Sequence, residues 1–180
     1  MQDLSLNILD VAQNSVAAGA RLVTITRMQN LPQGWLTILI EDDGCGMTQE
    51  QVQRVVDPFY TTRTTRKVGL GVPFFKMAAE LTGGSFEITS KPGEGTRVCA
   101  RFDLTHIDCS PVGDLSATIC CLIQCNPDME FVYKLETPKG AFTADTREFR
   151  QALGEDVPLN EPRVLTFIKS YIDENSAELL

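Results

Sequence analysis

A short acidic and glycine-rich segment, residues 42–46 with the sequence Asp-Asp-Gly-Cys-Gly, follows the apolar run 35–40. The apolar run predicts a β-strand that would hold Asp42 in a fixed position. Gly44 and Gly46 allow a sharp turn and let a flat ligand approach where a Cβ atom would block it. A carboxylate held in this way can accept a hydrogen bond from an exocyclic amine such as that of adenine. Acidic residues with glycines also form ordinary turns and calcium loops, so neighbouring segments must decide.

A polar stripe lies on the N-terminal segment, residues 2–18, whose apolar residues recur at helical spacing. Its members are Asp3, Asn7, Asp10 and Asn14, at spacings of four, three and four residues. Surface helices commonly carry such stripes, which then only contact water. Asparagine is a poor helix former, however, and lysine or glutamate would serve solubility better. We therefore predict that this stripe faces a ligand.

A basic cluster of Arg63, Arg66 and Lys67 lies within residues 57–71, which also hold one proline and several threonines and glycines. The whole chain carries a formal net charge of −8. A local positive cluster in an acidic protein indicates a small anionic ligand such as a nucleotide phosphate. The alternative is a basic loop that is simply solvated. With little apolar periodicity, this segment is predicted to fold over a ligand and reopen.

The elements that must position these residues alternate between helical and strand patterns. The predicted helices cover residues 2–18, 49–56, 72–82, 114–125, 146–153 and 162–174. The predicted strands cover residues 21–28, 35–41, 85–90, 96–104, 130–136 and 141–145. Thr48 and Asp114 are the predicted N-caps of two of the helices. The first two strands are predicted to form an antiparallel hairpin that covers the first helix.

Four segments of the chain carry a family resemblance: residues 7–20, residues 42–46, residues 57–71 and the Pro-Gly-Glu-Gly-Thr segment 92–96. In this order they resemble the N, G1, F and G2 boxes of the GHKL superfamily, which joins gyrase, heat-shock-90 chaperones, sensor histidine kinases and mismatch-repair ATPases. The resemblance implies the Bergerat ATP-binding fold over residues 1–105. That fold is α+β, a two-layer α/β sandwich in which a mixed, mainly antiparallel sheet is covered on one face by helices. Residues 106–180 lie outside the resemblance and are predicted to be an αββαα extension packed against the first domain.

The resemblance implies Mg-ATP as the ligand and a role for several residues. Asn14 would bind magnesium through its amide oxygen, Asp42 would accept from the adenine amine, and Thr96 would hold the same end of the base. Asp10 occupies the position of a catalytic glutamate in mismatch-repair relatives and of an asparagine in histidine kinases. Its shorter carboxylate is the candidate general base, and its reach decides whether it acts as one. The other implied nucleotide contacts are Gly44, Gly46, Met47, Tyr60, Thr61, Thr62, Arg63, Lys67, Gly69, Leu70, Gly71 and Val72.

Residues 57–71 resemble the histidine-kinase branch of the superfamily most closely. The sequence begins at the predicted N-box helix, and its only histidine, His106, lies beyond the last strand of the first domain. We therefore expect that the chain is not a complete histidine autokinase. We expect it to transfer phosphate to a separate partner protein, as the anti-sigma-factor serine kinases of the superfamily do. The alternatives are a slow ATPase that acts as a conformational switch and a non-catalytic nucleotide-sensing module.

The composition is that of an ordinary globular protein, with 43% hydrophobic and 22% charged residues among 180. The acidic charge argues against general nucleic-acid affinity. No apolar run is long enough to cross a bilayer and the first residues lack a secretion signal, so we expect a cytoplasmic protein. The six cysteines are expected to be reduced. Cys120, Cys121 and Cys125 lack metal-site spacing and are predicted to be buried small hydrophobes.

Overall fold

The structure is a computed structural model that describes residues 2–59 and 70–180. Its strands are β1 (Leu22–Asn30), β2 (Trp35–Asp42), β3 (Ser85–Lys91), β4 (Gly95–Asp103), β5 (Glu130–Thr137) and β6 (Gly140–Asp145). Its helices are α1 (Leu4–Ala17), α2 (Gln49–Val55), α3 (Gly71–Leu81), α4 (Leu115–Cys125), α5 (Thr146–Leu153) and α6 (Pro162–Leu179). The strands form one sheet in the order β3-β4-β2-β1-β5-β6.

The sheet is mixed and mainly antiparallel, because only β1 and β5 pair in parallel among the strands that the structure describes. Along the strands, alternate residues such as Ile25, Ile38 and Tyr133 are buried in one core together with residues of α1, α3, α4 and α6. The opposite face carries polar residues such as Thr37 and Arg101. The predicted two-layer α+β sandwich with helices on one face is therefore confirmed.

The C-terminal segment continues this sheet. Its elements follow the predicted αββαα order, and β5 lies directly beside β1 with Leu22 opposite Glu130. Apolar residues of α4, α6 and β5 belong to the same core as those of α1 and α3. The boundary between residues 105 and 106 stays a prediction, since both parts of the chain contribute to one sheet and one core.

The polar stripe of α1 divides into residues with different surroundings. Asp3 is the N-cap of the helix and accepts a hydrogen bond from the Leu6 N–H at 3.2 Å. Asn7 is buried, with 6% of its surface exposed. Asp3 therefore serves the helix itself, because the first N–H groups of a helix need an acceptor. Asp10 and Asn14 remain as the members that could face a ligand.

The cysteine prediction is wrong for Cys125, which is exposed at the end of α4. Cys120 and Cys121 are half-buried. Burial raises the pKa of the Cys120 thiol to about 11, so it stays protonated at neutral pH. In residues 2–59 and 70–180, no group of three potential His, Cys, Asp or Glu ligands is placed to hold a metal ion. None of the helices in this part of the chain is long and apolar enough to span a membrane.

Candidate functional site

A cavity of ≈ 110 Å³ lies between α1 and the edge of the sheet where β2 ends and β4 begins. Its lining residues are Val11, Asn14, Ser15, Ala18, Ile40, Asp42, Cys45, Gly46, Met47, Val55, Val72, Ile88, Thr96 and Val98. Sites that enclose a whole small ligand usually have roughly 300–1,000 Å³. This cavity therefore suits one flat ring system, and the rest of a larger ligand would extend out of it.

The Asp42 carboxylate is the charged group that lines this cavity. It is held by a hydrogen bond from the Gly44 N–H to Oδ1 at 2.9 Å and one from the Ser15 hydroxyl to Oδ2 at 2.6 Å. Each carboxylate oxygen has a further lone pair, so Asp42 can still accept from a ligand. The sequence prediction placed Asp42 at a strand end, and β2 does end at this residue.

Ser15 is a cavity-lining residue that the sequence interpretation did not single out. It is buried on the core-facing side of α1, where Leu4, Ile8 and Val11 precede it at helical spacing. A polar residue in such an apolar row needs a buried partner. That signal was present in the sequence, but the partner, Asp42, lies 27 residues away along the chain.

Replacing Ser15 with alanine is expected to lower nucleotide affinity roughly fivefold, since Asp42 loses a hydrogen bond worth about 1 kcal/mol that orients it. Isothermal titration calorimetry with ATP measures the change. Ser5→Ala is the matched control, because the Ser5 hydroxyl binds Asp3 at 2.6 Å on the same helix and does not line the cavity. Equal affinities of the wild type and the Ser15 variant would contradict the positioning role.

Thr96 stands opposite Asp42 on the neighbouring strand. The Ser90 hydroxyl donates to the Gly95 carbonyl at 2.9 Å and accepts from the Met47 N–H at 2.8 Å. Because Ser90 has one proton to give, Thr96 donates in the 2.9 Å contact between the two hydroxyls. The free lone pair of Thr96 and the carboxylate of Asp42 therefore both present acceptors, which suits a ligand edge that carries an amine.

The glycines of the loop after β2 are required by the protein's own backbone. Gly46 has φ +69°, and a Cβ there would lie 1.9 Å from the Lys91 carbonyl oxygen. A Cβ at Gly44 would lie 2.9 Å from the Cβ of Ala18 in α1. These close approaches bring the loop against α1 and the β3–β4 turn. The glycines thus fix the path of the loop that borders the cavity. The space for a base, which the sequence analysis attributed to the glycines, is the cavity beside this loop.

Asn14 lines the same cavity as Asp42, so the two predicted ends of the site do face one cleft. Its side-chain Nδ2 is buried and has no hydrogen-bond partner among the residues that the structure describes. Rotation of the carboxamide can present Oδ1 instead, and an amide oxygen is a suitable ligand for Mg²⁺. Mg²⁺ normally takes one or two protein oxygens and keeps waters and phosphates as its other ligands. The residues present therefore fit the ion.

Asp10 lies one turn before Asn14 on α1 and is exposed. It does not line the cavity, but it adjoins the start of α3, where a Cβ at Gly71 would lie 2.8 Å from the Asp10 Cβ. Leu70, the N-cap residue of α3, makes no side-chain capping hydrogen bond. A carboxylate and a helix N-terminus therefore meet beside the cavity mouth, and the N-terminus favours negative charge there.

The predicted site residues fall into three groups. Those that line the cavity are Asn14, Asp42, Gly46, Met47, Val72 and Thr96. Those that lie outside its lining are Asp10, Gly44, Leu70 and Gly71. Those outside the described residues are Tyr60, Thr61, Thr62, Arg63, Lys67 and Gly69. The prediction did not include the further lining residues Val11, Ser15, Ala18, Ile40, Cys45, Val55, Ile88 and Val98.

Comparison with known proteins agrees with this fold and supports an ATP-binding module of the kinase-like type. Residues 1–106 match the model of the family described as histidine kinase-, DNA gyrase B-, and HSP90-like ATPase. The chain belongs to this family.

The similar curated proteins are kinases and a sensor protein. The chain is 27% identical over 120 residues to the cell-division control histidine kinase PdhS of Brucella anthropi, covering 59% of this chain and 11% of that protein. It is 33% identical over 97 residues to sporulation kinase E of Bacillus subtilis, covering 53% and 13%. A putative sensor protein of Shewanella frigidimarina is 26% identical over 109 residues, covering 60% and 16%. The chain thus spans 11% to 16% of the length of these relatives.

A solved structure, described as the N-terminal domain of a DNA repair protein, has a similar fold. It superposes with a TM-score of 0.53 at 14% sequence identity, covering 81% of this chain and 52% of the other. At this identity the likeness shows the fold alone. It extends beyond the 106 residues of the family match, which indicates that part of the C-terminal segment also follows a known arrangement.

Proposed function

We propose that this chain binds Mg-ATP and transfers the γ-phosphoryl group to a separate protein, as a regulatory kinase of a cytoplasmic signalling pathway. The observation that supports ATP as the ligand is the cleft in which Asn14, Asp42 and Thr96 converge. The kinases among the similar proteins favour phosphoryl transfer over binding alone. The net charge of −8 disfavours a nucleic acid as the partner.

The order of groups along α1 fits a nucleotide. With the base amine at Asp42 beside Ser15, the phosphates would extend past Asn14 toward Asp10, which is about 6 Å further along the helix axis. Asn14 would hold magnesium, which supplies charge neutralisation on the phosphates. The start of α3, where Leu70 provides no side-chain cap, offers backbone N–H groups at the same end. Asp10 would accept the proton of the attacking hydroxyl.

The internal histidine lies away from the base end of the cleft and takes part in a local turn. His106 follows the last residues of β4, whereas Thr96 lies at the start of that strand. The seven residue-to-residue steps of extended strand from Thr96 to Asp103 span roughly 23 Å. His106 instead accepts a hydrogen bond from the Asp108 N–H at 3.1 Å in a local turn. The engagement of His106 in this turn favours an acceptor on another polypeptide.

The proposal is tested by incubating the chain with γ-labelled ATP, Mg²⁺ and fractionated proteins of the cells that produce it. We expect label on one protein band, and its acid or base stability distinguishes a phosphohistidine from a phosphoserine. Label that appears only as free phosphate would refute phosphotransfer. It would favour the second candidate, a slow ATPase that switches a partner, for which the exposed carboxylate of Asp10 also provides a base.

The Asp10→Asn variant is expected to lose phosphoryl release or transfer by roughly 10²–10⁴-fold with ATP affinity retained, because the amide cannot accept the proton. Single-turnover release of labelled phosphate, with and without acceptor fractions, measures the effect. Asp10→Glu is the matched control, since it restores a carboxylate and extends its reach by one methylene. Full activity of the asparagine variant would remove Asp10 from the mechanism.

A further inference from the structure

Strand β6 is an uncovered edge of the sheet. Within the described part of the chain, no strand pairs with its outer side. Its first five residues, 140–144, have the sequence Gly-Ala-Phe-Thr-Ala and carry no charge and no proline. Ala141 and Thr143 are exposed. Every second residue of such a strand directs its backbone N–H and C=O groups outward, where they can pair with another strand.

The other edge of the sheet carries the usual protection against such pairing. Strand β3 has the exposed charged residues Glu87 and Lys91, and α2 packs against it. Charged side chains on an edge strand oppose pairing with a second chain. The contrast between the two edges indicates that β6 is left free to pair.

The sequence of β6 is complementary to itself in one antiparallel register. Residues that face each other across a pair must lie on the same face of the sheet. Phe142 and Ala144 lie on the helix-covered face with Leu135 and Tyr133, whereas Ala141 and Thr143 lie on the open face. A two-fold axis at Phe142 satisfies this condition.

In that register, Phe142 faces its own copy and Ala141 faces Thr143 of the second copy. The charges at the two ends of β6 are not part of the paired segment, because Lys139 lies in the hairpin turn before the strand and Asp145 is buried and paired with Arg147. No like charges oppose each other along residues 140–144. A foreign strand would need this match to arise separately, whereas a second copy supplies it by symmetry.

An aromatic cluster beside this edge adds apolar surface to the same interface. Tyr171 packs against Phe142, Phe149 and Phe167, with ring centroids 5.4, 5.6 and 6.1 Å apart. Phe167 is 55% exposed although it stacks on Tyr171. An exposed aromatic residue in a cluster beside an unpaired strand is typical of an interaction surface.

We propose that two copies of this chain pair antiparallel through β6, so that their two sheets become one twelve-stranded sheet with the helices of both copies on the same face. The inference does not depend on the proposed kinase activity. The pairing leaves the nucleotide cleft open, because that cleft lies between α1 and the β2–β4 end of the sheet.

Charge-exchange variants test this register. The first is Ala141→Lys with Thr143→Lys, and the second is Ala141→Glu with Thr143→Glu. In the proposed register, each variant places like charges at position 141 of one copy and position 143 of the other, and this happens at two symmetric places in the dimer. The dimer dissociation constant is therefore expected to rise by at least about tenfold. Mixed in equal amounts, the two variants are expected to form a heterodimer, because every facing pair then has opposite charges. Sedimentation velocity over a micromolar concentration series measures the association of the lysine variant, of the glutamate variant and of their mixture.

The matched control is Ser85→Lys with Thr89→Lys on β3, which adds the same charge to two exposed positions of the other edge and should leave the dimer unchanged. Far-UV circular dichroism checks that every variant is folded. The proposal is overturned by a wild-type chain that stays monomeric, by a lysine variant that dimerises as tightly as wild type, or by a mixture that remains monomeric.

Discussion

Replacing Asp42 with asparagine is expected to weaken ATP binding by roughly 30- to 700-fold, the equivalent of about 2–4 kcal/mol. The Gly44 N–H donates to Oδ1, so an amide oxygen must take that position. The amide nitrogen then replaces Oδ2 beside Ser15 and presents a donor where the ligand amine needs an acceptor. Titration calorimetry with ATP gives the affinity, and thermal unfolding shows whether the variant is folded.

Asp43→Asn is the control for this experiment because it makes the same change at the next residue. Asp43 accepts hydrogen bonds from the N–H groups of Leu22 and Arg21, at 3.0 and 2.7 Å, and it does not line the cavity. The Leu22 hydrogen bond is the main cause that lowers the pKa of the Asp43 carboxyl. The control variant should lose some stability and keep its affinity. Equal ATP affinity of Asp42→Asn and wild type would refute the adenine assignment.

Replacing Gly46 with alanine is expected to reduce the free energy of unfolding by roughly 3 kcal/mol or more. The new methyl group would overlap the Lys91 carbonyl oxygen, 1.9 Å away, and the residue would keep a φ of +69°. Backbone cannot move aside as the end of a flexible side chain can. Urea unfolding followed by fluorescence of Trp35, the single tryptophan, measures the loss.

Gly93→Ala separates the overlap from the backbone conformation. Gly93 has φ +78° in the β3–β4 turn, and a Cβ there would meet nothing within 4 Å. Its replacement should cost only about 1 kcal/mol, the strain of a left-handed residue. If both alanine variants unfold at the same urea concentration, the overlap at Gly46 is relieved by movement of the loop and the assignment of that glycine is wrong.

Local structure followed closely from local sequence. The Thr48 N-cap is confirmed, with a capping box in which Gln51 also contacts the Thr48 N–H. The Asp114 N-cap is confirmed by a hydrogen bond from the Ala117 N–H at 2.9 Å. The hairpins β1–β2 and β5–β6 were predictable because the turn residues and the alternation lie within a few residues of each other. Such signals depend on neighbours in the chain.

Helix α6 shows where local signals were insufficient. Its predicted end at residue 174 is wrong, because the helix continues to Leu179. The polar residues after position 172 gave no apolar repeat to follow. In the structure Leu179 packs against the core and approaches Gly140, so contact with another element supports the last turn. Tertiary packing commonly overrides weak propensity in this way.

The family of the protein, its fold class and the placement of Asn14 and Asp42 on one cleft could be derived from the sequence, because the boxes and their order are local patterns. The tertiary structure alone decided that β5 joins β1 in parallel, that Ser15 and Ser90 orient the acceptors of the cleft, and that β6 has no strand on its outer side within the described part of the chain. Each of these depends on residues that are distant in the chain. Only the folded backbone brings such residues together, and no periodicity within one segment encodes that contact.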